Sequence, residues 1–434
     1  MNTNITLEDI LKSVEEILPN KTEMVLLTLA ICISPLVDHQ TPLWLMFVGV
    51  PASGKTEVVR LISDTPFVKP LDSLTENAFV SGAINPDKTK PKDLLPLLDG
   101  KCFIIKDFTT TLSQREESVK KILGDLTSIY DDTFQKHSAM RGTISYHSFF
   151  SILGCVTPQA LNQHQRYMNQ IGPRFLFYRV PLSNEDEIDK ALNILWTSET
   201  INQTKEKVHQ MVLAYLQNIY QRSNSIVFKK EPIEVQTSIN NFAKFIAKAR
   251  GIVLTRQAKF TNEDGKEITF YEPYEIQIEE PHRAVRQLRV LARSLALVSN
   301  NQTVASKELS IVKKVALSSM PADRSALISI ISKENKKWTA KEIADSLGIS
   351  HKTASRQLDE LVSLEILDKE EQGIGLANNY SVKNTFKKII YDEEFMSSPT
   401  MTKTKTPHQS LKQSESENVT LEDIDNLFGI ESIT

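Results

Sequence analysis

An apolar strand that leads directly into a small-residue loop and a helix constrains the fold of this chain most. The stretch LWLMFVGV (43–50) is continuously apolar, which is typical of a strand covered on both faces of a sheet. The residues that follow complete the spacing Gly-x-x-x-x-Gly-Lys-Thr from Gly49 to Thr56 and then begin a helical pattern. Because loops with this spacing between strand and helix bind phosphate groups, the stretch predicts an α/β fold with a nucleotide site.

The residue types in this loop suit the binding of ATP and Mg²⁺. Gly49 and Gly54 let the loop turn and let its backbone N–H groups approach the phosphates. Lys55 is expected to reach the β- and γ-phosphates, and the Thr56 hydroxyl is expected to bind Mg²⁺. The predicted cofactor-binding residues are Gly49, Val50, Pro51, Ala52, Ser53, Gly54, Lys55, Thr56 and Glu57.

Further apolar runs alternate with helical patterns after the loop, which predicts a parallel sheet. They are KCFIIKDF (101–108), SYHSFFSILGCVTP (145–158) and RFLFYRVPL (174–182). Asp107 ends the first run and is the expected second metal ligand, although an aspartate there could also cap a helix. Thr157 ends the second run, where it could contact the γ-phosphate or the attacking water, or could simply end a strand before proline.

Arg174 stands immediately before the last of these runs. An arginine there could reach the γ-phosphate held by a neighbouring subunit and stabilise the charge of the transition state. The alternative is a surface arginine paired with a carboxylate, and Arg179 is a second candidate for the catalytic arginine. The predicted catalytic residues are Lys55, Asp107, Thr157 and Arg174, and the predicted metal ligands are Thr56 and Asp107.

The order of the P-loop, FIIKDF, VTP and GPRFLFYR resembles the AAA+ ATPase superfamily. Within it, residues 40–320 resemble the minichromosome-maintenance (MCM) helicase branch in a shortened form, as in ATPases of phages and mobile elements. LGDLTSIYDDTFQKHSAMRGTISYHSFFSILGCVTP is similar to the MCM segment in which a helix and a hairpin precede the sensor strand. FAKFIAKAR and EPHRAVRQLRVLARSLALVSNNQTVASKELSIVKKV resemble the MCM lid, which implies that Arg283 or Arg286 contacts ATP; a solvated arginine face is the alternative.

The chain departs from the MCM pattern at four places. Phe108 stands where most such ATPases carry the glutamate that polarises water, so that Glu116 and Glu117 are the nearest carboxylates for this role. Thr157-Pro158 replaces Asn-Pro, and Pro173-Arg174-Phe175 replaces Ser-Arg-Phe. The large DNA-encircling N-terminal domain has no room in about 40 residues. We therefore expect ATP hydrolysis more firmly than processive unwinding.

A second sequence pattern lies between residues 336 and 382. A helix (TAKEIADSLGI), a tight turn, a second helix and a hairpin with Gly373 and Gly375 at its turn resemble a winged helix-turn-helix. The second helix of such a module enters the major groove of DNA. The residues expected to face DNA are Ser350, His351, Lys352, Thr353, Ser355 and Arg356. Because the wing carries the acidic run DKEEQ, a winged helix that binds protein remains the alternative.

Composition limits how the chain can reach DNA. The net charge is −3, from 51 Lys and Arg against 54 Asp and Glu, so that DNA binding must come from a local patch. The cysteines Cys32, Cys102 and Cys155 lie in apolar surroundings without metal-ligand spacing, which favours buried thiols in a cytoplasmic protein. The acidic N-terminus is wrong for a signal peptide, and the apolar run 24–37 is too short to span a bilayer. We expect no membrane association.

The predicted organisation has five parts: an N-terminal helical segment (1–40), an ATPase core (41–185), a helical lid with an inserted β-hairpin (186–325), a winged helix (326–395) and a flexible tail (396–434). The tail ends in an amphipathic motif with Leu421, Ile424, Leu427 and Phe428, which is either a peptide for a protein partner or a frayed capping helix. The expected function is an oligomeric, ATP-hydrolysing DNA motor, a ring such as a hexamer, that acts as a replication helicase or initiator. Alternatives are an ATP-gated DNA-binding switch (a helicase loader or regulator) and a scaffold that holds ATP.

Overall fold

The computed structural model describes residues 5–84, 93–131, 133–163, 174–196, 198–223, 227–261, 267–373 and 376–391. These described residues form one compact unit. The predicted tail with its terminal motif, residues 262–265 (NEDG) of the predicted inserted β-hairpin, and Gly375 lie outside the described residues. The domain boundaries proposed above stay predictions.

Twelve strands are described. They are β1 (Trp44–Val48), β2 (Val68–Leu71), β3 (Cys102–Ile105), β4 (Phe134–Ser138), β5 (Gly142–Tyr146), β6 (Ser151–Val156), β7 (Phe175–Arg179), β8 (Ile252–Thr261), β9 (Glu267–Gln277), β10 (Trp338–Thr339), β11 (Leu367–Glu370) and β12 (Asn379–Val382).

The described helices connect these strands. They are α1 (Leu7–Glu15), α2 (Thr22–Val37), α3 (Lys55–Arg60), α4 (Leu95–Leu98), α5 (Phe108–Leu112), α6 (Glu116–Tyr130), α7 (Pro158–Gln163), α8 (Glu185–Leu195), α9 (Ser198–Gln221), α10 (Ile233–Ala249), α11 (His282–Val298), α12 (Ser306–Ser318), α13 (Ala322–Ile331), α14 (Ala340–Leu347), α15 (His351–Ser363) and α16 (Asn384–Ile390).

Five parallel strands form the central sheet, in the order β2-β3-β6-β1-β7, and the prediction of an α/β fold with a parallel sheet is confirmed. Strand β1 is buried along its whole length. Its side chains alternate between two apolar layers: Leu45 and Phe47 pack on one side of the sheet, and Trp44, Met46 and Val48 pack on the other. This burial on both faces explains the unbroken apolar run in the sequence.

The structure differs from the predicted strands in two ways. The stretch 145–158 is not one strand, because β5 ends at Tyr146 in an antiparallel hairpin with β4, and β6 begins at Ser151. The apolar run had merged a half-exposed hairpin strand with a fully buried sheet strand. Strand β2, which the sequence reading did not distinguish, lies at the edge of the sheet and includes Pro70. An edge position tolerates a residue that has no backbone N–H.

The chain after β7 is mostly helical, as expected, with the hairpin β8–β9 inserted between α10 and α11. Residues 338–390 form three helices and a small antiparallel sheet in the order β10-β12-β11. This C-terminal module packs on α10 and β9. The rings of Phe245 in α10 and Phe386 in α16 lie 5.4 Å apart. The preceding helix α13 is held to the end of α10, because the guanidinium of Arg324 donates to the carbonyls of Ala249 and Gly251 at 2.8 and 2.7 Å.

Within the ranges given above, no helix is both long and apolar enough to cross a membrane.

Candidate nucleotide site and DNA interface

The loop between β1 and α3 is sterically constrained at its two glycines, Gly49 and Gly54. A β-carbon at Gly49 would lie 2.7 Å from Ser53 Oγ and 3.1 Å from Val180 Cβ, so a larger residue does not fit there. Gly54 has φ +83°, and Ala52 has φ +60°, which is uncommon for a residue other than glycine. When left-handed and right-handed backbone conformations alternate along a loop, successive N–H groups point to the same side and form a concave site that can bind an anion.

Lys55 lies buried inside this loop. Its ammonium donates to the carbonyl oxygens of Gly49 and Val50, both at 2.7 Å, and to Ser53 Oγ at 3.1 Å. Burial lowers the pKa of Lys55, and the nearby Cys155 and Asp107 partly offset this effect. The ammonium is therefore held at the centre of the loop with the Asp107 carboxylate in electrostatic reach, and phosphate oxygens could take the place of the loop acceptors.

The two residues after Lys55 have different surroundings. Thr56 is half-buried, and its hydroxyl makes no hydrogen bond within the part of the chain that the structure describes. Glu57 forms ion pairs with Arg60 at 2.7 Å and with Lys205 of α9 at 2.8 Å, which lower the pKa of its carboxyl. Thr56 is thus available as a metal ligand, whereas Glu57 joins α3 to α9.

Asp107 and Thr157 lie at the same end of the sheet as the loop, because all of its parallel strands have their carboxyl-terminal ends there. The N–H of Gly49 donates to the carbonyl of Val156 at 3.2 Å, which places Thr157 beside the loop. Strand β3 pairs with β6 such that Ile105 is level with Gly154. Asp107, two residues further along, is therefore close to level with Val156.

Asp107 also caps a helix, as its structural alternative predicted, and Thr157 directly follows the end of β6 and accepts a hydrogen bond at the start of α7. The Asp107 carboxylate accepts from the N–H of Thr109 at 2.9 Å and from the Thr110 hydroxyl at 3.1 Å. Thr157 Oγ1 accepts from the N–H of Ala160 at 3.4 Å, and its own N–H donates to Thr109 Oγ1 at 3.1 Å. Capping does not exhaust a carboxylate, which has about four acceptor positions.

Thr109 is a residue that the sequence reading missed. Its N–H bonds Asp107 and its hydroxyl bonds the backbone of Thr157, so that it joins the two residues across neighbouring strands. The run of three threonines after Phe108 was the available signal. The described residues contain no group of three or more His, Cys, Asp and Glu side chains that could hold a metal by themselves. Mg²⁺ at this end of the sheet would need phosphate oxygens as further ligands.

Arg174 and Arg283 lie together around the end of α6. The Arg174 guanidinium bonds Asp131 at 2.7 Å and stands 5.8 Å from the Tyr130 ring centroid. Arg283 stands 5.7 Å from the same centroid and 4.0 Å from Asp131. Gln287, on the same helix as Arg283, donates to the Arg174 carbonyl at 2.8 Å. The pairing of Arg174 with a carboxylate is the one that its structural alternative predicted.

These two arginines are at the amino-terminal end of the sheet's strands, whereas the loop is at the carboxyl-terminal end. Strand β7 starts level with Trp44, the first residue of β1, whereas the loop follows Val48 at the other end. Five strand residues span about 16 Å, which is longer than an arginine side chain. The structure therefore does not bring Arg174 or Arg283 to the Lys55 loop of the same chain.

The other two arginines have separate positions. Arg286 is exposed, and the structure gives it no hydrogen bond or ion pair to the residues that it describes. Arg179 is half-buried and donates to the carbonyl of Met320 at 3.1 Å, and the burial of its guanidinium lowers its pKa to about 10. Arg179 thus joins β7 to the chain between α12 and α13.

The predicted DNA-facing residues occupy the start of α15. Ser350 caps this helix, since its hydroxyl accepts from the N–H of Thr353 at 3.1 Å. His351, Lys352 and Arg356 are exposed, and Lys352 and Arg356 share one helix face at a spacing of four residues.

Ser355 differs from its neighbours on this helix. It is half-buried and faces the Tyr380 hydroxyl of β12, which donates to Asp359 at 3.1 Å. Ser355 thus supports the small sheet rather than the exposed face.

No protein-family description that was compared with the chain matches it, and no curated protein matches it significantly.

Proposed function

We propose that this protein is an ATP-hydrolysing DNA motor that works as an oligomer in the cytoplasm, of the AAA+ kind found in mobile-element replication helicases and initiators. The observation that carries the proposal is that three kinds of group come together at the carboxyl-terminal end of the sheet. A constrained small-residue loop surrounds Lys55, the Asp107 carboxylate acts on that ammonium, and Thr157 lies beside the loop. ATP with Mg²⁺ is the ligand that such a set of donors suits.

The residues divide into roles by their chemistry. The backbone of residues 49–54 and the Lys55 ammonium would hold the phosphate chain, while the Thr56 hydroxyl and the Asp107 carboxylate would hold Mg²⁺. The metal, when bound, would neutralise the charge that develops on the phosphates. Thr157, fixed by its hydrogen bond to Thr109, would orient the γ-phosphate or the attacking water.

An oligomer is proposed because one chain cannot complete this site. Arg174 and Arg283 lie at the opposite end of the sheet's strands and could contact a nucleotide only in a neighbouring copy. Helix α8, which follows the loop end of the sheet, gives further support. Its side chains Ile188, Leu192 and Leu195, with Trp196 after it, are exposed, Leu195 by 65% and Trp196 by 87%. We propose that a second copy of this chain covers this apolar face.

The winged-helix assignment rests on the C-terminal module. Two helices joined by a turn at Gly348 (φ +69°) precede a hairpin that packs on the second helix, the arrangement that a winged helix requires. Lys352 and Arg356 on the exposed face of α15 would contact DNA phosphates or base edges. DNA is therefore the proposed substrate on which the motor acts.

A second candidate function is an ATP-gated DNA-binding switch that turns over slowly. Phe108 favours it, because this side chain is buried where most AAA+ ATPases carry a glutamate. Glu116 and Glu117 are exposed on α6, and Glu116 already forms an ion pair with Lys120 at 2.8 Å. The switch would use ATP to control assembly on DNA instead of unwinding it.

ATPase and strand-displacement assays with and without DNA test the proposal and separate the two functions. A motor should show DNA-stimulated ATPase and strand displacement, and Lys55→Ala should abolish both. Asp107→Asn should also abolish turnover while stability is kept, because asparagine caps a helix as well as aspartate does. Unchanged turnover in Asp107→Asn would refute the metal assignment. Site-specific DNA binding without strand displacement would favour the switch.

A further inference from the structure

A lysine outside the P-loop motif lies directly against the loop. Lys21 is the last residue before α2, and its stem crosses Gly54. A β-carbon at Gly54 would lie 3.2 Å from Lys21 Cε and 3.7 Å from both Cγ and Cδ. Since Gly54 immediately precedes Lys55, the two lysines flank the same turn of backbone. Nothing in the spacing of the motif indicates this contact, because Lys21 is more than 30 residues away in sequence.

The turn that carries Lys21 is fixed by hydrogen bonds. The Glu15 carboxylate accepts from the N–H of Asn20 at 3.0 and 3.1 Å and from the Thr22 hydroxyl at 3.3 Å. Asn20 has φ +59°, a left-handed conformation that asparagine tolerates better than most residues do. The position of Lys21 is therefore determined by bonds on both sides of it.

The electrostatic surroundings of Lys21 leave its charge incompletely compensated. The side chain is half-buried, and its ammonium makes no hydrogen bond or ion pair with the residues that the structure describes. Burial lowers the pKa of Lys21, while the charges of Glu187 and Glu15 act in the opposite direction from a distance. Because removing an ammonium from water without a partner is costly, a site that keeps one is a candidate for binding an anion.

We propose that Lys21 is a second lysine of the nucleotide site and contacts the phosphate chain of ATP beside Lys55. This inference rests on the proposed function, since it takes the loop to be the site of ATP. It also gives the helices α1 and α2 a role, because the turn between them would carry one contact to the nucleotide. Lys21 would act in binding and is not proposed as a participant in hydrolysis.

The test compares equilibrium binding of adenosine, ADP and ATP by the full-length protein and three variants. Lys21→Met keeps a stem of similar shape against Gly54 but removes the charge, and Lys21→Arg keeps the charge. Lys12→Met, which removes an exposed lysine from α1, is the matched control. We expect Lys21→Met to weaken ATP binding about tenfold, as for loss of one charge-assisted hydrogen bond. Lys21→Arg and Lys12→Met should stay close to wild type.

The nucleoside series separates a phosphate contact from a disturbance of the fold. Adenosine binding should be unaffected by Lys21→Met, and the loss should appear with ADP and ATP. An equal loss for adenosine, or unchanged ATP binding in Lys21→Met, would overturn the role of Lys21 while leaving the proposed function intact. Failure of the wild-type protein itself to bind ADP and ATP would instead refute the proposed function together with this inference.

Discussion

At the scale of single residues, the nucleotide loop depends most on the absence of a side chain at Gly49. A β-carbon there would lie 2.7 Å from Ser53 Oγ, which accepts a hydrogen bond from Lys55, and 3.1 Å from Val180 Cβ. Because both neighbours would have to shift, we expect Gly49→Ala to distort the loop. The expected result is loss of ATP binding with a destabilisation of about 1–3 kcal/mol. Isothermal titration calorimetry and thermal unfolding measure the two effects.

Gly124 provides the matched control for Gly49. It lies within α6, and a β-carbon there would meet nothing within 4 Å. Gly124→Ala should therefore stabilise the protein by about 0.5–1 kcal/mol through better helix propensity and leave ATP binding unchanged. Equal behaviour of the two alanine variants would contradict the steric argument.

A second residue-scale prediction concerns the buried pair of Asp93 and Arg141, whose side chains are 1% and 5% exposed. Arg141 donates to both Asp93 oxygens, at 3.0 and 2.8 Å, and the Tyr146 hydroxyl donates at 2.8 Å. Asp93→Ala would leave Arg141 buried without its partner, which costs about 3–5 kcal/mol. Chemical denaturation should show this loss, whereas Glu267→Ala at the exposed pair with Lys259 should change stability by less than about 1 kcal/mol.

The same pair predicts how stability depends on pH. Burial by itself would raise the pKa of Asp93, but hydrogen bonds from Arg141, the Ser81 N–H and Tyr146 outweigh it and hold the pKa below the ordinary value of 3.8. A carboxyl whose pKa is lower in the folded state stabilises the fold above the unfolded pKa, and this contribution disappears as the pH falls through the folded pKa. Acid unfolding of the wild type should therefore be steeper below about pH 4 than that of Asp93→Asn. Parallel acid-unfolding curves would contradict this.

At the scale of an element, α15 separates exposed basic residues, which the proposed function assigns to DNA, from residues that pack inside the module. Lys352 and Arg356 are on its exposed face, whereas Ser355 faces the Tyr380 hydroxyl. We expect Lys352→Ala and Arg356→Ala to weaken duplex binding about 5- to 100-fold each if they reach base edges. If the replaced side chain contacts a phosphate, the slope of log K against log salt concentration should also fall by about one. Fluorescence anisotropy over a salt series measures both.

Ser355→Ala is the control on the same helix. It should lower the stability of the C-terminal module slightly and leave DNA affinity unchanged, since its hydroxyl is used inside the module. If Ser355→Ala and Lys352→Ala weakened DNA binding alike, the exposed face of α15 would not be the interface.

At the scale of the whole molecule, the loop and Arg174 lie at opposite ends of the sheet's strands. We therefore predict that active sites form between copies of the chain. Subunits with Lys55→Ala lack the loop contact but keep Arg174, and subunits with Arg174→Ala have the reverse defect. Mixing the two inactive variants should restore part of the ATPase activity, because some interfaces then pair an intact loop with an intact arginine. No recovery at any ratio would contradict a role for Arg174 in the neighbouring site.

The apolar face of α8 gives a second prediction at this scale. Leu192→Glu should lower the oligomeric mass in solution, because a carboxylate at the contact between copies would be buried without a partner. Analytical ultracentrifugation with and without ATP measures this. Val227→Gln, which changes another exposed apolar residue outside α8, should leave the mass unchanged.

The sequence by itself determined the elements whose patterns arise from local physics. The unbroken apolar run of β1, the small-residue loop before Lys55 and the capped helices of 339–363 each follow from short-range sterics and burial, and the structure describes all three. The grouping of Asp107 and Thr157 beside the loop followed from the same reasoning, since residues at the carboxyl-terminal ends of parallel strands lie at one end of the sheet. The break at Ser151 and the edge strand β2 were missed because short apolar segments carry no signal of their pairing partners.

Only the tertiary structure decided where distant residues meet. It placed Arg174 and Arg283 together around Tyr130, about one strand length away from the loop, and it brought Lys21 against Gly54. No local pattern encodes such contacts, because they depend on strand order and on helix packing over long separations in sequence. The sequence thus predicted a phosphate-binding loop, and the fold determined which other charged side chains lie beside that loop and which lie a strand length away.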